Sequence, residues 1–283
     1  MPTQTLFFHR SWPGRALLAA GTICLAFLSA CSDPSQSAGF KALQEQLAAT
    51  QKQVQELKDI HDIEKLNRAY GYYVDKGLWD QVVDLFSDNS TVEIEGGGIY
   101  VGKKGADRLF HQNFGNGRIG FADGVLFNHP QFQGIVDVDP DGVTAKGRWR
   151  TLAQVAWYGK SAFWNEGVYE NEYVKEGGVW RFSKMKFWST YFTPYDKGWA
   201  KAAAPPIGWG ANMPNKELPP DRPSDPGYRM YPRYFIPPFH YANPGSGRAF
   251  TAPERTKADE WPADKITPEE YARKIFGNIE TSK

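Results

Sequence analysis

Between residues 127 and 192 the sequence alternates apolar and polar positions with a period of two. It does so over four long segments, roughly 127–138, 143–158, 162–175 and 179–192. Successive residues of a strand face opposite sides, so the pattern predicts strands with one face in a core. Asp139-Pro140-Asp141-Gly142 and Glu176-Gly177-Gly178 supply reversals between segments, which makes the neighbouring strands antiparallel. Upstream the period is helical. Leu43, Leu47, Val54, Leu57, Ile60, Ile63 and Leu66 recur at three-, four- and seven-residue steps between Phe40 and Asn67, with no Pro or Gly among them. That helix continues to Asp75 and stops at Gly77. A short helix over 78–86, a strand over 90–95, a turn at Gly96-Gly97-Gly98 and a helix over 104–113 follow. Helices first and a long-stranded sheet afterwards predict an α+β fold, a curved antiparallel sheet wrapped around N-terminal helices. The first half of the long helix is rich in Gln and Lys with a narrow apolar seam, as in a short coiled coil. An amphipathic helix lying on its own domain fits equally.

Both ends of the chain read differently from this middle. Arg10 and Arg15 precede an apolar run from Ala16 to Leu28 that is short for a membrane span. Leu28-Ser29-Ala30-Cys31 then resembles the lipobox of bacterial lipoproteins, with an ordinary signal peptide and an incidental cysteine as the alternative. The resemblance implies that Cys31 is lipidated and becomes the first mature residue, while Cys24 leaves with the signal. Ser32 rather than Asp after the cysteine favours the outer membrane, facing the periplasm. The expected divisions are a signal peptide at 1–30, a tether at 31–39, an N-terminal helix at 40–62, the main domain at 63–200 and an extension at 201–283. The extension is rich in Pro and Gly, yet its stretch from Tyr231 to Tyr241 is too aromatic for a solvated linker. It should lie on the domain surface or on a neighbouring subunit. Thr267-Pro268-Glu269-Glu270 predicts the start of a short final helix.

Net charge is +1 over 283 residues, with no basic stripe, so nucleic acid is not an expected partner. No His-x-His, His-Glu-x-x-His or mature cysteine pair offers metal-ligand spacing. No Gly-x-Ser-x-Gly elbow or nucleotide-binding glycine motif occurs either. The expected chemistry therefore uses no metal and no cofactor.

Three blocks carry a family resemblance: Tyr70-Gly-Tyr-Tyr-Val-Asp75-Lys-Gly-Leu-Trp79-Asp80, then Val92-Glu-Ile94 with Tyr100-Val-Gly102, then Gly167-Val-Tyr169-Glu-Asn-Glu-Tyr173 running on to Trp180-Arg-Phe182. In this order they resemble the SnoaL-like branch of the nuclear transport factor 2-like superfamily, over residues 63–188. The branch includes scytalone dehydratase, bile-acid dehydratases and lyases that release formaldehyde from lignin-derived aromatic dimers. The resemblance implies a cone holding a carboxylate, a histidine and a tyrosine: Asp75, His129 and Tyr70 as catalytic residues. Tyr73, Tyr169, Asn171 and Trp157 become the expected substrate contacts. Scytalone dehydratase has a second strand histidine that is missing here, since 151–157 read Thr-Leu-Ala-Gln-Val-Ala-Trp. The implied substrate therefore differs.

An Asp and a His in contact form an acid–base unit in which the carboxylate orients the imidazole and raises its pKa. The expected activity is a lyase, dehydrating or cleaving a small aromatic or polycyclic alcohol. Two other readings stay open: a binding protein for a hydrophobic ligand, and an isomerase of steroid-like ketones. On residue pattern alone His129 serves equally as a packed core histidine. Asp75 serves as a cap beside Gly77, and the tyrosines as core aromatics. His61 reads as solvent-facing, His111 as a helix-end group and His240 as packed within the extension. Arg148 and Arg150 read as lying on the outer side of the sheet. A homo-oligomer, trimer or dimer, is expected to cover that outer side.

Overall fold

A computed structural model describes residues 34–201, 217–224 and 229–251, with a few positions of a helical turn between 267 and 275. The expected signal peptide and Cys31 lie outside the described residues. The chain divides into two compact units, residues 1–51 and 52–283. Everything below concerns the second, apart from the first half of one helix.

That helix, α1, runs from Pro34 to Val74. It begins before the expected Phe40, so most of the expected tether is helical. A proline suits a first helical turn, where its missing N–H has no partner to lose. The last turns of α1 bury Ile63, Leu66, Asn67, Tyr70 and Val74. Gly77, at φ +62, turns the chain into α2 (Trp79–Asp84), whose Trp79 is buried against Phe110, Phe114 and Phe121. Then come β1 (Phe86–Ile94), β2 (Ile99–Val101) and α3 (Gly102–Asp107). The expected helix over 104–113 changes winding midway. Beyond Asp107 it is π-helical over Arg108–Phe114, a widened turn that is common beside functional sites.

The sheet has seven strands, in the order β2-β1-β7-β6-β5-β3, with β4 also on β5. The four expected strands become five. β3 (Val125–Asn128) and β4 (Gln131–Val138) replace one expected strand, and β5 (Thr144–Trp157), β6 (Ser161–Glu176) and β7 (Val179–Pro194) follow. The break is His129-Pro130. Pro130 has no N–H to give the ladder, so pairing lapses for two residues, yet the register resumes unslipped, Asn128 opposite Gln154 and Gln131 opposite Thr151. All pairings are antiparallel except one, since β1 runs parallel to β7.

The inner face of the sheet packs on the end of α1, on α2 and on the π-helical turn, around an aromatic core of Tyr70, Trp79, Phe86, Phe110, Phe182 and Phe187. The described stretch 231–239 of the extension lies on the outer face. Tyr231 N–H donates to Thr190 O at 2.8 Å, Phe235 stacks on Trp188, and the Arg148 guanidinium sits 4.0 Å over the Phe239 ring. Thr267 and Glu270 cap each other reciprocally, the capping box read from the sequence.

Candidate active site

The lapse between β3 and β4 aims His129 inward. Its ring is 2% exposed and stacks on Phe127. Gly71 makes the approach possible, because a Cβ there would stand 3.0 Å from the His129 carbonyl oxygen. Next to Gly71 on the same helix stands Tyr70, and four residues after Tyr70 stands Val74. From β6 comes Tyr169, and from β7 Phe187, whose rings lie 4.6 Å apart. Together with Ile94, Phe110, Phe114 and Phe127 these residues line a small cavity. As the side chains stand, its open centre holds about one water molecule.

Three polar side chains enter this cavity, and they form a chain. The Tyr169 hydroxyl lies 2.6 Å from His129 Nε2 and 3.3 Å from the Tyr70 hydroxyl. A ring protonated on Nδ1 lets Nε2 accept from Tyr169 and the Tyr169 oxygen accept from Tyr70. Burial keeps all three neutral. It lowers the His129 pKa to about 3 and lifts both phenols above their usual value.

Asp75 sits differently from expectation. Its Oδ1 accepts a hydrogen bond from the backbone N–H of His129, while the imidazole's Nε2 meets Tyr169. The carboxylate therefore holds the bend of the chain that presents His129. The imidazole pKa moves down, under desolvation, and not up as a carboxylate-paired ring would. Asp75 is itself half-buried, and burial raises its pKa, partly offset by that backbone bond and by Lys76.

Of the expected substrate contacts, Tyr169 lines the cavity. Asn171 is buried behind it, donating to Asn67 Oδ1 at 3.0 Å, where Tyr173 also donates at 3.1 Å. Tyr73 packs half-buried against the core, and Trp157 is 45% exposed at the end of β5. None of these three lines the cavity. His240, expected to pack, is bonded to Glu170 at 2.8 Å on the outer face. His111 lies between Asp80 and Asp107 at 3.2 and 3.4 Å.

The sequence reading missed Glu95. It follows the last residue of β1 at φ +52, is 2% exposed, and bonds to the Asn165 amide. Its N–H donates to Phe187 O at 3.1 Å. Burial pushes its carboxyl up to about 7, against the stabilising bonds from Asn165 and Ser189. No spacing flagged it, because its inward turn depends on a left-handed residue at a strand end.

Residues 55–186 match the family model for a SnoaL-like domain, beginning in α1 and ending in β7. The chain carries a SnoaL-like domain. No curated protein sequence matches the chain. Among solved structures it is similar to the hexachlorocyclohexane dehydrochlorinase LinA-type3 of Novosphingobium barchaimii, at 24% identity over 50% of this chain and 93% of that one, with a TM-score of 0.44. It is also similar to a Novosphingobium aromaticivorans protein assigned as a scytalone dehydratase, at 21% identity over 56% of this chain and 99% of that one, with a TM-score of 0.45. The likeness is one of fold. All three polar residues of the cavity fall inside the matched span, as does the rest of its lining apart from Phe187; the extension lies beyond it.

Proposed function

We propose that the SnoaL-like domain is a lyase that needs no cofactor and acts on a small aromatic or polycyclic alcohol. The observation that supports this most is the chain His129–Tyr169–Tyr70, three proton-bearing groups in contact inside a cavity otherwise walled by Phe, Val and Ile side chains. Such walls favour an apolar, ring-bearing guest, and the polar chain matches a hydroxyl on it. With room for about one water at present, entry requires lining side chains to move aside.

In a dehydration, neutral His129 takes the proton from carbon while the Tyr169 phenol protonates the departing hydroxyl, which leaves as water. The electron pair of the broken C–H bond becomes the new double bond. Afterwards the imidazolium returns its proton to Tyr169 across their hydrogen bond, and the site is restored. Asp75, bonded to the His129 backbone N–H, holds the base in position. On an aromatic dimer with a propanediol link the same groups allow a second outcome. His129 takes the proton of the terminal hydroxymethyl, the carbon–carbon bond breaks, formaldehyde leaves, and the pair of electrons expels the benzylic hydroxyl, which leaves as water with the proton of the Tyr169 phenol; the imidazolium then returns its proton to Tyr169. The organic product is then a stilbene. General acid–base help of this kind is worth roughly 10²–10⁴-fold, and the dry cavity strengthens each polar contact. The lipobox resemblance at Cys31 adds the proposal that the enzyme works at the cell envelope, lipid-anchored to the outer membrane.

The test is to incubate the purified chain with diarylpropanediols and simple benzylic alcohols, following stilbene absorbance and formaldehyde. Turnover that falls 10²–10⁴-fold in His129→Ala and in Tyr169→Phe supports the proposal. Tight binding without turnover assigns a ligand-binding protein, and full activity in both variants removes the polar chain from the mechanism.

A further inference from the structure

The long helix α1 has two faces, and the fold uses one of them. Its last turns bury Ile63, Leu66, Tyr70 and Val74. At about 100° per residue, Val54 and Leu57 project from the opposite side. There Phe40, Leu43, Leu47, Val54 and Leu57 are 56–67% exposed. With Thr50 they occupy every position of an unbroken alternation of three- and four-residue steps, 40, 43, 47, 50, 54 and 57. That is the a/d seam of a coiled coil, sustained for 18 residues or about 27 Å of helix.

The flanking positions narrow the choice of occupant. Those beside the seam are Gln44, Gln46, Gln51 and Gln53, with Ile60, and Lys58 as the one charge. The remaining charges, Lys41, Glu45, Lys52 and Glu56, stand on the positions farther from the seam. A helix lying on an anionic membrane carries a broad apolar face rimmed by cations. Here the apolar stripe is narrow, its rim is mostly neutral glutamine, and the charges are mixed, three lysines against two glutamates. A neutral rim lets identical helices lie side by side with little like-charge repulsion, and a seam of period 3.5 is matched best by another of the same period.

We propose that residues 40–57 are a self-association surface, a short parallel coiled coil with a further copy of this chain. It is independent of the cavity and of the reaction assigned to it. Exposed on both flanks, the seam tolerates substitution without disturbing the core.

The experiment uses the full chain in mild detergent, with the wild type as the background for Cys24 and Cys31. Light scattering should give a dimer or trimer, and Leu43→Glu/Leu47→Glu should lower the mass to that of a monomer while the circular dichroism spectrum is kept. Under mild oxidation, Leu47→Cys on the seam should form disulfide-linked pairs at least several-fold more than Lys52→Cys on the far side. A wild-type monomer overturns the proposal. So do an oligomer that survives the double substitution, and equal cross-linking at both sites. If the wild type is monomeric and sediments with anionic vesicles through a contact that Leu47→Glu abolishes, the seam is a membrane contact and the proposal fails.

Discussion

Alternate residues of the same strands build two very different polar environments. On β6, Tyr169, Asn171 and Tyr173 face inward, and Glu166, Glu170 and Glu172 face outward. The outer groups are charged and matched. Arg148 pairs with Glu170 and donates to Pro238 O at 2.8 Å, His240 bridges Glu170 and Asp137, and Lys186 meets Glu93 at 2.9 Å. The inner groups are kept uncharged by burial: His129, Tyr70, Tyr169 and, below about pH 7, Glu95. A matched ion pair fixes structure, and a proton moved within it has little to gain. A neutral, desolvated imidazole in contact with a phenol holds its proton where a small change of environment moves it. The contrast supports the proposed chemistry on the inner face, while the described extension residues attach on the outer.

The largest effect should separate the two faces by kind. Tyr169→Phe is expected to reduce turnover of a hydroxylated aromatic by 10²-fold or more while the unfolding midpoint in urea changes little. Glu170→Ala should do the reverse. It leaves Arg148 and His240 without their shared carboxylate, so stability should fall by about 3 kcal/mol in urea unfolding, with catalysis per folded molecule preserved. Equal losses of both kinds in either variant would break the contrast.

A smaller effect sharpens it through pH. The folded state resists protonating His129, with a pKa near 3 against 6.5 for the free side chain, so His129 makes stability fall as pH drops from about 6.5 toward 3. Glu95 acts in the opposite sense. Its folded pKa near 7 exceeds the usual 4.5, so its contribution is full below about 4.5 and is lost as pH rises to about 7. In the wild type the two slopes oppose each other between about 4.5 and 6.5. Glu95→Gln should leave only the rising limb of His129 in thermal melts across that range. The smallest effect belongs to the exposed outer pair of Lys184 and Glu172, each side chain about 45% exposed. Lys184→Ala should cost under about 1 kcal/mol.

The order of the elements was legible because it rests on periodicity, which depends on neighbouring residues alone. Tyr70 and His129 line the cavity. What the sequence concealed was set by tertiary distance. Asp75 faces a backbone amide, because Pro130 interrupts the ladder and leaves the His129 N–H for a side chain to satisfy. Asn171 alternates in phase with Tyr169 as expected, yet Asn67 of α1 captures it before it can face a guest. Trp157 sits at a strand end, where alternation no longer implies burial. Glu95 turns inward only through a positive φ, which no composition signal marks.

The account's central claim is that His129 is a neutral imidazole held in the dry by Tyr169. Nitrogen-15 NMR of the histidine ring, assigned with His129→Gln and titrated from pH 7.5 to 4, tests it directly. The account predicts no protonation of His129 down to about pH 4, with a shift of its Nε2 resonance in Tyr169→Phe. A midpoint at or above about 6.5, unmoved by Tyr169→Phe, would contradict it and restore a carboxylate-paired imidazole.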